Sequence, residues 1–435
     1  MKLRHLSIAT VMVILTGCGP APIDPQRQIG ADPYLPPIHQ YLLPPMHTVK
    51  IVGWNGAMPS VAPGLKVQPF ATGLANPRSL YVLPNGDVLV VETGGPPAPV
   101  SRPKEFVMNW MEKATHSHTK PGQRILLFRD TNGDGLPDKR TVLLDHLHSP
   151  FGVVLVGNDL YVADTDAVLR FPYTEGQTEI TAPGVKLCDL PGGPIDHHWT
   201  KSLTASPNGT KLYAGVGSNS NITENGIEAE VDRAAIWEID RATGAHREYA
   251  TGLRNPNGLQ FEPETKVLWA VINERDELGP DLVPDYLTSV KDGAFYGWPY
   301  SYYGQHLDPR VHPQRPDLVA KAIAPDYALS SHVAPLGLVF YTGTNLPAHY
   351  RGGAFVGEHG SWDRSILNGY KIVYVPFANG RPSGTAEEVV TGFLVDGDKA
   401  RGRPVGLAVD NQGALLIADD TGNSVWRISA SSHNL

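Results

Sequence analysis

The chain has 435 residues, with 36 Lys and Arg against 44 Asp and Glu for a formal net charge of −8, and only two cysteines. No basic cluster is present that would neutralise a phosphate backbone, which argues against nucleic acid as a partner. With 45 Gly, 39 Pro and no long apolar run at 3.6-residue spacing after the start, the composition is that of a β and loop protein.

At the N-terminus, Met1 to His5 supplies positive charge, Ile8 to Leu15 forms a short apolar core, and Leu15-Thr16-Gly17-Cys18 follows. That order is an export signal, and its apolar part is too short to span a bilayer. Leu-Thr-Gly-Cys resembles the bacterial lipobox. Residues 1–17 are therefore expected to be a lipoprotein signal peptide and Cys18 to be lipidated. The lipid would hold the protein in the bacterial cell envelope facing the periplasm, at the outer membrane because Gly19 gives no reason for inner-membrane retention. An ordinary signal peptide with a chance cysteine is the alternative. Residues 18–60, rich in Pro and Gly up to about Pro45, read as a lipidated start and tether, with the main domain at 61–435. Cys188 is then a lone thiol, so no intrachain disulfide forms, and no Cys-x-x-Cys-His supplies a covalent haem.

From Asn76 onward one phrase recurs: a turn with Pro or Gly, a β-rich run, a polar turn and a second β-rich run. It begins at Asn76-Pro77, Ser149-Pro150, Lys201-Ser202, Asn255-Pro256, Ala334-Pro335 and Arg403-Pro404. Six copies predict an all-β, six-bladed β-propeller, a single folding unit despite its length. A two-sheet sandwich also gives short strands at regular spacing, but six copies of one phrase are hard to arrange in it. The copies average roughly 60–70 residues against about 40–50 for common propeller repeats, so each blade carries long loops, where chemistry usually sits.

Along the chain, Asp130-Thr131-Asn132-Gly133-Asp134-Gly135-Leu136-Pro137-Asp138 follows the first nine positions of an EF-hand loop, with Thr141 where the full motif needs Glu. Asp130, Asn132, Asp134 and Asp138 are expected to hold a structural calcium remote from the active site; a solvated acidic turn is the alternative. The segment from Gly94 to Pro121, with Trp110 and His116 to His118, is expected to line or cover the mouth. Asp196-His197-His198-Trp199-Thr200-Lys201 places two histidines beside a lysine, suited to a general base near a cation, to metal ligation, or to a plain surface. Arg78, Arg254 and Arg403 occupy the same slot before their blades. Crowded at one mouth, they suit a ligand with carboxylates or phosphates. Asn273-Glu274-Arg275-Asp276-Glu277 is dense in oxygen and suits a hard cation. His359-Gly360-Ser361-Trp362-Asp363-Arg364 sets an aromatic plane beside a guanidinium, for stacking on a flat ligand or for packing.

Together with Gly252-Leu253-Arg254-Asn255-Pro256 and Tyr296-Gly297-Trp298-Pro299, these segments resemble the glucose/sorbosone dehydrogenase family of quinoproteins, and most its sorbosone and pyranose dehydrogenase-like branch, over Val67 to Ser429. The resemblance implies a six-bladed propeller whose mouth holds pyrroloquinoline quinone and calcium, and oxidation of a sugar or sugar-derived aldehyde or hemiacetal. By position, His198 would be the general base, and Arg78, Lys201, Arg254 and Asn255, with Trp362 and Arg364, would contact the cofactor. Calcium would lie on backbone oxygens near Glu274 and Arg275. This chain departs from the soluble glucose dehydrogenases in lacking a Gly-Pro pair at that turn. The implied partners are a small-molecule sugar, a separate electron acceptor (a quinone or a cytochrome) and the membrane through the lipid alone. A calcium-dependent lactone hydrolase on the same scaffold, or a non-catalytic lipid-anchored sugar-binding propeller, are the competing readings.

Overall fold

The computed structural model describes residues 23–41, 47–96, 120–362 and 364–431. The signal peptide, Cys18, Trp110 and His116 to His118 lie outside the described residues. Antiparallel sheets of four or five strands follow one another in chain order, each started by one of the recurring phrases. Their first strands are Pro77–Val82, Gly152–Val156, Leu203–Ala205, Pro256–Phe261, Pro335–Phe340 and Pro404–Val409. Each of these strands touches the next, and the last touches the first, so they enclose a central channel. The fold is nearly all-β and of β-propeller type; Pro316–Val319 is the one α-helix among the described residues.

The alternation of side chains along each second strand explains the ring. In Val88–Glu92, Leu89 and Val91 pack with Leu160 and Val162 of the second sheet, while Val88 and Val90 pack with Leu416 and Ala418 of the sixth. Leu268, Ala270 and Ile272 likewise face the third sheet, and Trp269 and Val271 the fifth. A strand buried on both faces needs a continuous apolar run, as these are, because successive side chains point to opposite faces. The outermost strands have one wet face: Lys139–Leu144 is exposed at its start and buried only at Leu143 and Leu144.

The ring closes by a long-range pairing. Leu65–Ala71, before the first phrase, lies antiparallel to Ser424–Ala430 and completes the sixth sheet. The segment expected to be a tether is docked wherever it is described. Ile29–Gly30 adds a strand to Tyr327–Ser331, Lys50–Ile51 pairs with Lys399–Ala400, and Ser60–Val61 extends the fifth sheet. Gln28 is fully buried, donating to the Asp281 carbonyl at 2.6 Å, and Trp54 Nε1 donates to Asp419 Oδ2 at 2.6 Å. Proline in this segment marks extended runs laid on the ring rather than a free spacer, because its polar and apolar side chains find partners there.

Candidate active site

Strand register determines which loops meet. Pro77 opposes Glu92, Gly152 opposes Ala163, Pro256 opposes Ile272, Pro335 opposes Glu358 and Pro404 opposes Asp419. The start of each first strand and the end of each second strand therefore emerge at the same end of the channel. Among the described residues, five of the twelve buried polar side-chain atoms without a hydrogen-bond partner belong to residues at or beside these strand ends: Arg78 Nε, Ser149 Oγ, Asp164 Oδ1, Asn255 Oδ1 and Glu358 Oε2. Such atoms are rare in a folded interior and are costly unless a ligand or water serves them.

The loop before the third sheet carries His198, and Asp196 anchors it. Asp196 accepts from Arg233 Nη1 at 2.7 Å, Thr165 Oγ1 at 2.9 Å and Lys201 Nζ at 3.2 Å. Lys201 is fully buried under the loop, and its ammonium also reaches the Trp199 and His198 carbonyls at 3.1 and 3.5 Å. Burial pushes its pKa down to about 8 against the pull of Asp196. Those three acceptors engage all three protons of the ammonium, so the expected cofactor contact is instead a strut beneath the histidine loop.

His198 Nδ1 lies 3.0 Å from the Ser218 carbonyl and 2.9 Å from Ser218 Oγ, whose own proton goes to the Ser220 carbonyl. Both neighbours present acceptors, so Nδ1 carries the proton and Nε2 is left with a lone pair. Burial, then the charges of Arg254 and His197, holds the His198 pKa well below the ordinary histidine value and keeps the ring neutral. A side chain at Gly217 would strike His198 Cβ and Asn255 Oδ1, so this glycine lets the two residues meet.

Arg254 is buried and fully engaged. Its nitrogens donate to the carbonyls of Asn221 and Glu274, at 3.2 and 2.6 Å, to Asn221 Oδ1 at 3.0 Å and to Asp276 Oδ2 at 3.3 Å. Arg275 turns away to Asp308 at 2.5 Å and to the Asp276 carbonyl at 3.0 Å. The expected calcium position at Glu274 and Arg275 therefore does not fit a dication. The Glu274 carbonyl already accepts from the Arg254 guanidinium, whose positive charge would oppose a dication at the same oxygen. Among the described residues, no group of three or more His, Cys, Asp or Glu side chains is placed to hold a metal ion.

Across the mouth, Asp420 Oδ2 accepts from Arg78 Nη1 at 2.7 Å and from His359 Nε2 at 2.9 Å. Burial would raise the Asp420 pKa, but His359, Arg78 and Arg403 together hold it well below the carboxylate range. Burial and then Arg403 push His359 down to about 3, so the ring is neutral. Arg78 lies 5.6 Å from the Trp199 ring centroid, which joins this cluster to the histidine loop. The Asp419-Asp420 doublet ends the second strand of the sixth sheet, the slot held by Ile272-Asn273 and Glu358-His359 in the fourth and fifth. Aligning the repeats on one another would have found it.

The remaining expected residues have partners of their own. Trp362 gives its carbonyl to the His47 N–H at 2.9 Å, and Arg364 is buried against Asp281 Oδ1 at 2.6 Å; both tie the rim to the N-terminal segment. Asp130 accepts the N–H groups of Gly133 and Gly135, each at 2.7 Å, and Asp138 accepts from Thr131, so the loop is closed by its own backbone. Through Gln412 and the Gly133 carbonyl, 3.1 Å apart, it sits on the face opposite His198.

Glu358 offers a test of the mouth's electrostatics. Burial pushes its carboxyl up to about 8 from an ordinary 4.5, opposed by Lys371. A raised carboxyl pKa contributes stability that is complete below the unfolded value and is lost as pH rises through the folded one. Glu358→Gln should therefore raise the melting temperature by a few degrees at pH 8–9 and leave it unchanged near pH 4, as read by calorimetry.

A model of the TrAA12-like family matches residues 59–284 and 315–431 of this chain. The chain belongs to that family. A pyrroloquinoline quinone-dependent pyranose dehydrogenase of Coprinopsis cinerea is 24% identical over 438 aligned positions, covering 86% of this chain and 55% of that protein. The chain thus spans about half the length of that relative. The holo structure of the Coprinopsis pyranose dehydrogenase quinone domain superposes with a TM-score of 0.69 at 20% identity, over 86% of this chain and 97% of that one. A calcium structure of a Trichoderma reesei protein of carbohydrate-active enzyme family AA12 gives a TM-score of 0.70 at 20% identity, over 88% and 99%. This TrAA12-like chain therefore shares their fold, which agrees with the channel and mouth built above.

Proposed function

We propose that this TrAA12-like protein is a pyrroloquinoline quinone-dependent sugar dehydrogenase built on six blades, one for each recurring phrase. The observation that carries the reading is the His198 tautomer: Nδ1 is anchored on Ser218, which leaves Nε2 as a neutral acceptor on a residue whose Cβ meets Asn255 across Gly217. The mouth fits a polyanionic, carbonyl-bearing cofactor in one respect that can be checked. Arg78 Nε is a buried donor with no partner, with Arg403 near it, and Asn255 Oδ1 is a buried acceptor with none. Arg78, aligned by Asp420, and Asn255 would hold the group. A quinone of this class supplies the two-electron acceptor when bound.

The protein's part is proton transfer and placement. His198 Nε2 accepts the proton of the sugar hydroxyl, and the Nδ1–H to Ser218 keeps the ring oriented while its charge rises. Burial, with the charge of Arg254, keeps that ring neutral at rest, and Arg254 binds the turn that forms the neighbouring wall. The donor set at Glu274 and Arg275, taken up by Arg254 and Asp308, does not fit calcium. Among sugars, the pyranose or sorbosone type is the class supported by the Coprinopsis relative's name. Adding the quinone, with and without calcium, to purified protein and following dye reduction by aldoses tests the reading. Absence of sugar-dependent reduction under both conditions would sink it, and turnover of lactones instead would favour the hydrolase.

We further propose that residues 1–17 are removed, that Cys18 is lipidated, that the protein faces the periplasm, and that a separate acceptor takes the electrons. Leu15-Thr16-Gly17-Cys18 supports the anchor. Cys18→Ser should move the protein from the membrane to the soluble periplasmic fraction; equal membrane retention of the variant and the parent would refute it.

A further inference from the structure

We propose that the outer edge of the fourth sheet carries a second site, one that binds a neutral saccharide away from the mouth. A cavity of about 730 Å³ opens there, within the size range of small-ligand sites. The N-terminal segment forms one wall with Arg27, Asp32, Tyr34 and Leu35; Tyr303 and His306 form the other. Both walls lie outside the residues that the family model matches, which begin at 59 and break between 284 and 315. The site is thus separate from the segments that build the mouth.

The first wall is held rigidly. Ile29 and Gly30 pair with Leu329 and Ala328, Gln28 is buried below them, and the Tyr34 N–H returns to the Arg27 carbonyl at 2.8 Å. That turn brings the Arg27 guanidinium 4.3 Å from the Tyr34 ring centroid, while Tyr34 stays 41% exposed. Among the described residues, Arg27 and Asp32 make no ion pair with each other or with any other side chain. The second wall is also unsatisfied. Tyr303 is buried, lines the cavity, and its hydroxyl has no hydrogen-bond partner. His306 Nδ1 faces the Tyr303 carbonyl at 3.0 Å, so that nitrogen is the donor and Nε2 is an acceptor.

These groups together specify a chemistry. A guanidinium and a carboxylate are planar groups that can each bridge two neighbouring hydroxyls, and an exposed aromatic ring stacks on the C–H face of a pyranose. The opposed charges of Arg27 and Asp32 cancel, so an anion gains nothing from Asp32 and a cation nothing from Arg27. A neutral polyhydroxylated ring can meet both charged groups and the Tyr34 ring at once.

This inference does not depend on catalysis, and its test keeps the two apart. Isothermal titration of the mature chain, without quinone, against cellotetraose, xylotetraose and maltotetraose should show saturable binding of at least one. Tyr34→Ala and Asp32→Ala should each weaken that binding by about tenfold. His198→Ala should leave it unchanged. Because Tyr34 and Asp32 are exposed, both variants should melt with the parent, which separates lost binding from lost fold. No saturable binding of any of the three sugars, binding that survives both rim substitutions, or binding lost only in His198→Ala would each overturn the proposal. Dye reduction measured in parallel reports on the dehydrogenase reading alone: it can fail in the parent while tetrasaccharide binding remains.

Discussion

His198→Ala is expected to lower quinone-dependent sugar turnover by about 10²–10⁴, the usual contribution of a positioned general base. Quinone should still bind, because Arg78 is held by Asp420 without help from the imidazole. His197 is exposed on the same loop, its ring edge-on to His198 with centroids 4.6 Å apart and its charge acting on Asp276 at the mouth. His197→Ala should therefore change apparent substrate affinity more than turnover. The pH dependence adds a second reading. The His198 pKa is held well below 6.5 by burial and by Arg254, so the parent's turnover should stay level as pH falls through the ordinary histidine range and drop only below it. The variant should lack that acid limb. Single-turnover reduction at the parental rate in His198→Ala would remove the proposed base.

Asp196→Ala should be the most destabilising single change at the mouth. It leaves the ammonium of Lys201 and the guanidinium of Arg233 buried without their carboxylate, and breaking one partner out of such a buried network typically costs about 3–5 kcal/mol. The loop from Asp196 to Lys201 also loses its hold on Thr165, so His198 should lose its alignment on Ser218. Denaturant unfolding should show the loss of stability, and turnover of the protein that remains folded should fall with it. Asp196→Asn retains the shape and the Thr165 contact but not the charge, and should fall between the two. A parent-like midpoint for Asp196→Ala would show that Lys201 finds water or another acceptor, and that the loop does not depend on this pair.

Much of the fold was legible because propeller strands obey a local rule. Strands buried on both faces are written as unbroken apolar runs, and the turns between them as Pro and Gly, so Pro77, Pro256, Pro335 and Pro404 marked strand starts that the register later aligned at one mouth. The neighbourhood of His198, Arg78, Arg254 and Asn255 was legible for a related reason: each stands within five residues of the start of a first strand. The partners of these residues were not. Whether Lys201 meets a cofactor or props up a loop depends on Asp196 and Arg233, and Arg233 comes from another strand connection entirely. Asp420 acts on Arg78 from 342 positions away, which no local pattern records.

The sequence by itself determined that the chain is all-β, that one strand–turn–strand unit repeats along it, and that histidine, arginine and asparagine stand before successive units. Only the tertiary structure decided which oxygens those side chains meet. It turned Arg254 onto the Glu274 carbonyl, where calcium had been expected, buried Arg364 on Asp281, and laid the supposed tether along the ring through Gln28 and Trp54. The physical reason is that side-chain identity follows from the chain, whereas hydrogen-bond satisfaction follows from what lies across the gap. In a closed ring, that neighbour is supplied by a blade far away in sequence.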